Sequence, residues 1–145
     1  PYAEEYENYR PILRSMNQIT SAFRQLFTDY AERMALIDQT AGETYTYQAL
    51  ENLSSRLAGM VRAQVEPGER VALLFSNQIE MVLSYLACMQ LGVTAVPVNP
   101  EFHPDEIAGL LAHATPRIIL TSAVHAPKLA ASAPYPCLRF GNGAE

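Results

Sequence analysis

Residues 70–121, "RVALLFSNQIEMVLSYLACMQLGVTAVPVNPEFHPDEIAGLLAHATPRIILT", alternate between apolar runs of strand length and segments with helical spacing. "RVALLF", "VTAVPV" and "RIILT" are nearly continuous in apolar residues, which is typical of parallel strands buried on both faces. The intervening segments place apolar residues every three or four positions. This spacing predicts the inward-facing residues Ile79, Val82, Leu83, Leu86, Ile107, Leu110 and Leu111. The order predicts an α/β fold: a parallel sheet with right-handed crossovers and helices on both faces.

Polar residues, glycine and proline set the predicted ends of these elements. Asn77 and Glu80 have the spacing of a capping box at the start of the first helix. Gly92 suits the left-handed position that ends it. Pro97 cannot donate to a strand ladder, so we expect it at an edge or at the end of the strand "VTAVPV". Pro104 suits the first turn of the second helix.

The sequence on either side of this stretch predicts further elements. "ALID" and "ETYTY" flank Gly42 and predict a small hairpin, preceded by a helix from about Ser21 to Arg33. Another helix is predicted from Tyr47, with Thr46 as its cap. Its inner face is predicted at Leu50, Leu53, Leu57 and Val61. Downstream, residues 123–131 predict a weak helix and "PCLRF" a fourth strand.

We predict two parts of the chain: an N-terminal helical segment, residues 1–17, and one α/β subdomain, residues 18–145. Pro11 interrupts the first segment because its ring removes a donor and clashes with the preceding turn. The helical spacing places a set of apolar residues on one face: Tyr2, Tyr6, Tyr9, Leu13 and Met16. This face either packs on its own domain or docks a partner, and self-association through it or through a sheet edge is a further expectation.

Composition excludes several classes of function. The net charge of -5 and the scattered basic residues give no electrostatic footprint for nucleic acid. No apolar run approaches the roughly 20 residues of a membrane-spanning helix. Cys88 and Cys137 lack metal or redox spacing, and no secretory signal opens the chain, so a cytoplasmic location is expected. We interpret Cys88 as a small buried apolar residue.

No motif in the sequence indicates an active site. The turn after "RVALLF" is "SNQIE", without the glycines that dinucleotide binding requires, and no Walker motif occurs. His103, His113 and His125 share no short metal-binding spacing. "GNG" at residues 141–143 is interpreted as a turn. We therefore predict no catalytic, cofactor-binding or metal-ligating residue in this chain.

The ordered series "LFTDYAERMALID", "TYTYQAL" and "GERVALLF" through "RIILT", from about Thr20 to Thr121, resembles the opening of the AMP-forming ligase superfamily. This superfamily includes acyl-CoA synthetases, luciferases and the adenylation domains of peptide synthetases. "VPVNPEFHPDEI" is similar to the acyl- and aryl-CoA ligase version. Amino-acid adenylation domains usually carry Asp in place of Asn99 and Tyr-Pro in place of Phe102 and His103. The resemblance implies that "GVTAVPVNPEFHPDEI" is a scaffold segment in which Asn99 and the prolines set a strand-to-helix turn.

The resemblance implies an activity that uses ATP and Mg²⁺ to convert a carboxylic acid into an acyl-adenylate. The acyl group then passes to CoA or to the pantetheine of a carrier protein. The family's phosphate-binding loop, its adenine- and acid-binding motifs and its C-terminal domain with the catalytic lysine follow these segments, and none occurs before Glu145. The first hypothesis is therefore a truncated leading subdomain, inactive alone, whose partner is the remainder of the ligase chain.

Two other hypotheses remain at this stage. The chain could be a non-catalytic stand-alone assembly domain derived from the ligase fold. In that case deletion of residues 1–17 would change its oligomeric state in light scattering. A small nucleotide-binding α/β domain is the third hypothesis, which the missing glycine turn disfavours and which calorimetric titration with ATP and NAD would test.

Overall fold

The computed structural model describes residues 20–129 and 135–141, which fall into two compact units divided between Glu51 and Asn52. The first unit contains helix α1, residues 20–29, an antiparallel hairpin and the start of helix α2, Tyr47–Val61. The hairpin consists of β1, Met34–Asp38, and β2, Glu43–Thr46. The predicted segment 1–17, with its aromatic face and Pro11, lies outside the described residues.

The hairpin and the cap of α2 are confirmed. Gly42 has a φ of 71°, and the Asp38 carboxylate accepts hydrogen bonds from the backbone N–H groups of Thr40 and Ala41. The Thr46 hydroxyl accepts a hydrogen bond from the N–H of Ala49 at 3.1 Å. A glycine with positive φ and a side-chain acceptor before a helix are the features from which both were predicted.

Helix α1 is shorter than predicted, since it ends at residue 29 and not at Arg33. The carbonyls of Ala31 and Arg33 accept hydrogen bonds from the N–H groups of Gln48 and Tyr47, at 3.0 and 3.1 Å. The chain turns after α1 and presents these carbonyls to the first residues of α2, whose N–H groups lack partners within their own helix. A tertiary contact, which periodicity does not show, therefore sets the end of α1.

The second unit is an open parallel sheet with the strand order β4-β3-β5-β6. Its elements in chain order are β3 (Arg70–Leu74), α3 (Ile79–Leu91), β4 (Thr94–Val98), α4 (Pro104–Ala114), β5 (Ile118–Ser122) and β6 (Cys137–Phe140). Short 3-10 turns lie at Arg62–Gln64 and Ala126–Leu129. The predicted α/β fold class, the parallel sheet and the edge position of Pro97 are confirmed.

Both faces of the two central strands are buried. On one face, Ala72 and Leu74 of β3 and Ile119 of β5 pack with Val98 and with two residues of α4, Ile107 and Leu111. On the other face, Val71, Leu73, Ile118 and Leu120 are each at most 1% exposed. Burying a side chain of this size removes it from water at a gain of roughly 1.5–3 kcal/mol. The near-continuous apolar runs are explained by this two-sided burial.

The start of α3 differs from the prediction. The helix begins at Ile79 with Gln78 as its N-cap, and that side chain makes no cap hydrogen bond. Instead the Gln78 amide donates to the carboxylate of Glu80 at 3.0 Å. The predicted Asn77 and Glu80 capping box is wrong because the helix begins one residue too late for Asn77 to reach it.

The predicted inward-facing residues of α3 and α4 also need correction. Leu110 is 42% exposed, because it lies about 80° around α4 from the direction shared by Ile107 and Leu111. On α3, Leu83 is buried as predicted, but Ser84, Ala87 and Cys88 complete the buried face, while Ile79, Val82 and Leu86 are only half-buried.

The predicted helix at residues 123–131 is reduced to the 3-10 turn Ala126–Leu129 within the described residues. Pro127 explains this because it has no N–H to donate and its ring blocks a regular α-helical turn. Gly92 ends α3 with a φ of 67°, as predicted. No helix in the described part of the chain is long and apolar enough to cross a membrane.

Candidate functional site at the carboxyl edge of the sheet

The strand order creates a switch point between β3 and β5. The chain runs from β3 outward to β4 and then crosses back to β5 on the opposite side of β3. In open α/β sheets, ligands bind outside the carboxyl ends of the strands where the chain reverses direction in this way. The segments that follow β3 and β5 are therefore where the fold favours a functional site.

A hydroxyl and an imidazole meet at this switch point. Ser76 follows β3, His125 follows β5, and the Ser76 Oγ lies 2.8 Å from the His125 Nε2. The backbone N–H of His125 donates to the carbonyl of Ser122 at 3.2 Å, and its carbonyl accepts from the N–H of Lys128 at 3.0 Å. The imidazole is thus held in a backbone turn, while Ser76 is exposed.

Next to this pair lies a buried hydroxyl without a partner. Ser122 is 5% exposed and its Oγ makes no hydrogen bond, although Thr121 beside it donates to the Leu74 carbonyl at 2.9 Å. Thr121 pairs with Leu74 and Ser122 with Phe140, so Phe75, Ser122 and Phe140 form one row on the same face. The two rings contact each other edge to face with centroids 5.4 Å apart. Ser122 therefore lies beneath an aromatic pair.

The loop after β4 is rigidly built. The side chain of Asn99 accepts a hydrogen bond from the N–H of Glu101 at 2.9 Å, and the Asn99 carbonyl accepts from the N–H of Phe102. The Lys128 ammonium donates to the carbonyl of Pro100. This agrees with the interpretation of Asn99 and its neighbouring prolines as turn-forming residues, because each polar group is used to hold the loop.

The remaining candidate ligands are dispersed. His103 caps α4: its Nδ1 accepts from the N–H of Asp105 at 3.4 Å, and its own N–H donates to Glu106 at 2.8 Å. His113 lies in the last turn of α4. Among residues 20–129 and 135–141, no three His, Cys, Asp or Glu side chains form a group that could hold a metal. Thus the three histidines occupy three separate places.

The two cysteines differ in environment. Cys88 is 3% exposed, and burial raises the pKa of its thiol from 9.0 to about 12. The buried thiol stays protonated at neutral pH and is a poor nucleophile. Cys137 is exposed at the start of β6. The interpretation of Cys88 as a buried apolar residue is confirmed.

The sequence did not predict that Ser76 and His125 form a pair. They are 49 positions apart, and their contact depends on β5 lying next to β3, which the order of elements along the chain does not specify. The signal that was available is positional: each residue closely follows a buried strand. Ser76 and His125 together could bind a polar group or transfer a proton.

The fold and this edge define an open, parallel α/β domain of the kind that binds ligands at a switch point. Residues 23–139 match the AMP-binding enzyme family. The chain belongs to that family, and the resemblance predicted from the motif series is confirmed.

Similar proteins include two 4-coumarate-CoA ligases and a tyrocidine synthase. The chain is 37% identical over 101 residues to 4-coumarate-CoA ligase 1 of Narcissus pseudonarcissus, covering 69% of the chain and 18% of that protein. It is 32% identical over 118 residues to 4-coumarate–CoA ligase 5 of Oryza sativa subsp. japonica, covering 81% of the chain and 22% of that protein. Tyrocidine synthase 3 of Brevibacillus parabrevis is 30% identical over 116 residues, with 78% of the chain and 2% of that protein covered.

Solved structures share the fold. The N-terminal domain of FACL13 from Mycobacterium tuberculosis superposes with a TM-score of 0.75 at 26% identity, covering 86% of the chain and 33% of that structure. A benzoate CoA ligase from Burkholderia xenovorans LB400 gives a TM-score of 0.74 at 23% identity, covering 85% of the chain and 25% of that structure, a likeness of fold alone. The chain thus corresponds to a minor part of each relative, about a fifth of the coumarate ligases.

Proposed function

We propose that this chain is the leading subdomain of an ATP-dependent acid–thiol ligase. The complete enzyme activates a carboxylic acid as an acyl-adenylate with ATP and Mg²⁺ and transfers the acyl group to CoA or to a carrier-protein pantetheine. The observation that carries the proposal is the match to the AMP-binding enzyme family over residues 23–139. Its likeness to plant coumarate ligases and to a medium-chain fatty-acid–CoA ligase favours an acyl or aryl acid as the substrate.

In this proposal the described residues serve as scaffold and the 145-residue polypeptide does not form adenylates. The turn after β3, residues 75–78, contains no glycine. Glycines allow backbone N–H groups to come close to a triphosphate, so this turn is not built to bind one. The only lysine of the chain, Lys128, donates to the Pro100 carbonyl. It is therefore occupied in holding a loop and is not offered to a reacting carboxylate.

The first experiment is the intact mass of the native gene product, purified from its source cells with protease inhibitors. We expect a mass well above the 16.0 kDa of this polypeptide. That larger protein should then catalyse exchange of pyrophosphate into ATP that depends on an added carboxylic acid, tested with aryl and fatty acids in parallel.

The matched control is the 145-residue polypeptide in the same exchange assay, for which we expect background rates. Robust acid-dependent exchange by the short polypeptide would refute the scaffold role. A native product of 16.0 kDa that shows no exchange would contradict the ligase proposal itself.

A further inference from the structure

We propose that Ser76 is an acyl-accepting nucleophile and that His125 is its general base. The substrates would be activated carboxylic acid derivatives, meaning reactive esters and mixed anhydrides. The proposal rests on the geometry of the carboxyl edge and not on the ligase activity, so it can fail or succeed independently of that activity.

Ser76 occupies a position that suits a nucleophile. It lies between the end of β3 at Leu74 and the start of α3 at Ile79, where an exposed hydroxyl faces the switch point. His125 comes from the segment after the adjacent strand β5 and places Nε2 at 2.8 Å from the hydroxyl oxygen. A nucleophile within hydrogen-bond distance of a base is the basic requirement for covalent acyl transfer.

The proton balance of the step is simple. With Nε2 unprotonated, it accepts the Ser76 proton as Oγ bonds to the acyl carbon, and the imidazolium that forms then returns this proton to the departing oxygen. The bond between the acyl carbon and its leaving group breaks, and the product is an ester on Ser76. Water can hydrolyse that ester in a second step, with His125 again taking a proton.

The start of α3 can stabilise charge that develops on the acyl oxygen. Gln78 gives the first turn of α3 no side-chain cap, and the N–H of Met81 donates to the Gln78 carbonyl, which leaves the N–H groups of Ile79 and Glu80 at the positive end of the helix for this role. Glu80 in the same turn opposes this effect, but its carboxylate accepts a hydrogen bond from the Gln78 amide. Charge stabilisation by preorganised donors is often the largest contribution to acyl-transfer catalysis.

The pair lacks two features of efficient serine hydrolases. No carboxylate among the described residues is hydrogen-bonded to His125, so the ring is oriented only by its backbone turn and by its contact with Ser76. Among the described non-glycine residues only Thr115 has a positive φ, so Ser76 is not on a strained elbow. We therefore expect slow, stoichiometric acylation and only slow turnover.

The test is acetylation of the 145-residue polypeptide by p-nitrophenyl acetate, with the modified residue located by peptide mass spectrometry. We expect one acetyl group on the peptide that contains Ser76. Ser76→Ala should lose this modification. His125→Gln should slow it by about 100-fold, at the lower end of what a positioned general base contributes.

A second serine provides the matched control. Ser55 is also exposed, and its hydroxyl also contacts a side chain, but it donates to the amide oxygen of Gln90 at 3.1 Å, which is not a base. Ser55→Ala should acetylate like the parent. Labelling of Ser55 at the same rate as Ser76, an unchanged rate in His125→Gln, or transfer of the label to His125 in Ser76→Ala would each overturn the proposal. Circular dichroism of every variant confirms that folding is retained.

Discussion

Four buried hydroxyl side chains in the second unit differ in whether they have a hydrogen-bond partner. Ser84 donates to the Glu80 carbonyl at 2.7 Å, Thr121 donates to the Leu74 carbonyl, and Ser54 accepts from the Gln90 amide at 2.9 Å. Ser122 alone among these four has an unpaired oxygen. A buried hydroxyl without a partner costs about 1–3 kcal/mol, so the row beneath Phe75 and Phe140 stores a local destabilisation.

Ser122→Ala should therefore stabilise the chain, by about 1 kcal/mol, because it removes a polar group that makes no hydrogen bond. Urea unfolding followed by circular dichroism measures the change in free energy. Thr121→Val is the control on the same strand: it removes a hydroxyl that is bonded to Leu74 and should destabilise by about 1–2 kcal/mol. If Ser122→Ala destabilised the chain as much as Thr121→Val, the Ser122 hydroxyl would have a partner in solution.

Cys88 makes the free energy of unfolding depend on pH in the alkaline range. Its thiol has a pKa of about 12 in the folded chain and 9.0 when exposed, so between these values the unfolded chain loses a proton that the folded chain keeps. The unfolded state is then favoured as pH rises, and stability contributed below pH 9.0 is lost progressively toward pH 12. We expect this loss to be smaller in Cys88→Ala, measured as the difference between the two unfolding free energies at pH 8 and at pH 10.5. A constant difference across that range would contradict the buried-thiol explanation, and Cys137→Ala, which alters an exposed thiol, is the control.

At the scale of elements, the sequence predicted those ends of helices and strands that depend on the chemistry of a single residue. Gly42, Thr46 and Gly92 have the backbone or side-chain geometry expected from their identities. The ends that depend on another part of the chain were not predictable, as α1 shows: the carbonyls of Ala31 and Arg33, which follow the helix, accept hydrogen bonds from the start of α2. The predicted start of α3 was wrong for a different reason. Asn77 and Gln78 both precede the apolar spacing, and the sequence alone does not show which of two neighbouring polar residues is the N-cap.

Two glycines test whether the C-terminus of α3 needs a left-handed residue. Gly92 has a φ of 67°, and an added Cβ would meet only the Pro67 Cβ, at the ordinary contact distance of 3.8 Å. Gly92→Ala should thus destabilise through backbone strain and not through a clash, by about 1–2 kcal/mol. Gly59 lies within α2, has open space around it and no positive φ, so Gly59→Ala should stabilise by roughly 0.5–1 kcal/mol. Thermal unfolding of both variants measures the signs, and a stabilising Gly92→Ala would refute the strain argument.

At the scale of the whole molecule, the apolar runs predicted the sheet but not the neighbours of each strand. The order β4-β3-β5-β6 brings Ser76 to His125, and no periodicity specifies that order. The alternation of strands and helices predicted the α/β fold class, and the family resemblance added the particular ligase fold, because an ordered series of motifs carries tertiary information that single elements lack. The candidate site is therefore the part of the structure that sequence reasoning could least supply, since it is made of non-local contacts.

The two edges of this sheet differ in their capacity to pair with another chain. In a parallel strand the N–H and C=O of one residue point to the same side and alternate from residue to residue. Thr94 donates to the Glu69 carbonyl, so Thr94, Val96 and Val98 face β3 and Pro97 occupies an outward position, where it removes a donor. This proline blunts the β4 edge.

No comparable protection exists along β6 within the described residues. The carbonyls of Pro136 and Phe140 accept hydrogen bonds from Ile119 and Ala123, so the even-numbered residues of β6 face β5 and Cys137 and Arg139 face outward. Among residues 20–129 and 135–141, the N–H and C=O of Arg139 thus have no partner, and they lie at an exposed edge. We propose that the isolated 145-residue polypeptide self-associates through this edge.

Arg139→Pro should abolish the association, because proline removes the outward N–H without removing any hydrogen bond to β5. Light scattering over a range of concentrations, in reducing buffer, should show a rising mass for the parent polypeptide and a constant monomer mass for this variant. Arg139→Ala is the matched control: it removes the same guanidinium but keeps the backbone N–H, so it should associate at least as strongly as the parent. Equal loss of association in both variants would assign the contact to the guanidinium, and a parent that stays monomeric at all concentrations would show that the β6 edge is protected in solution.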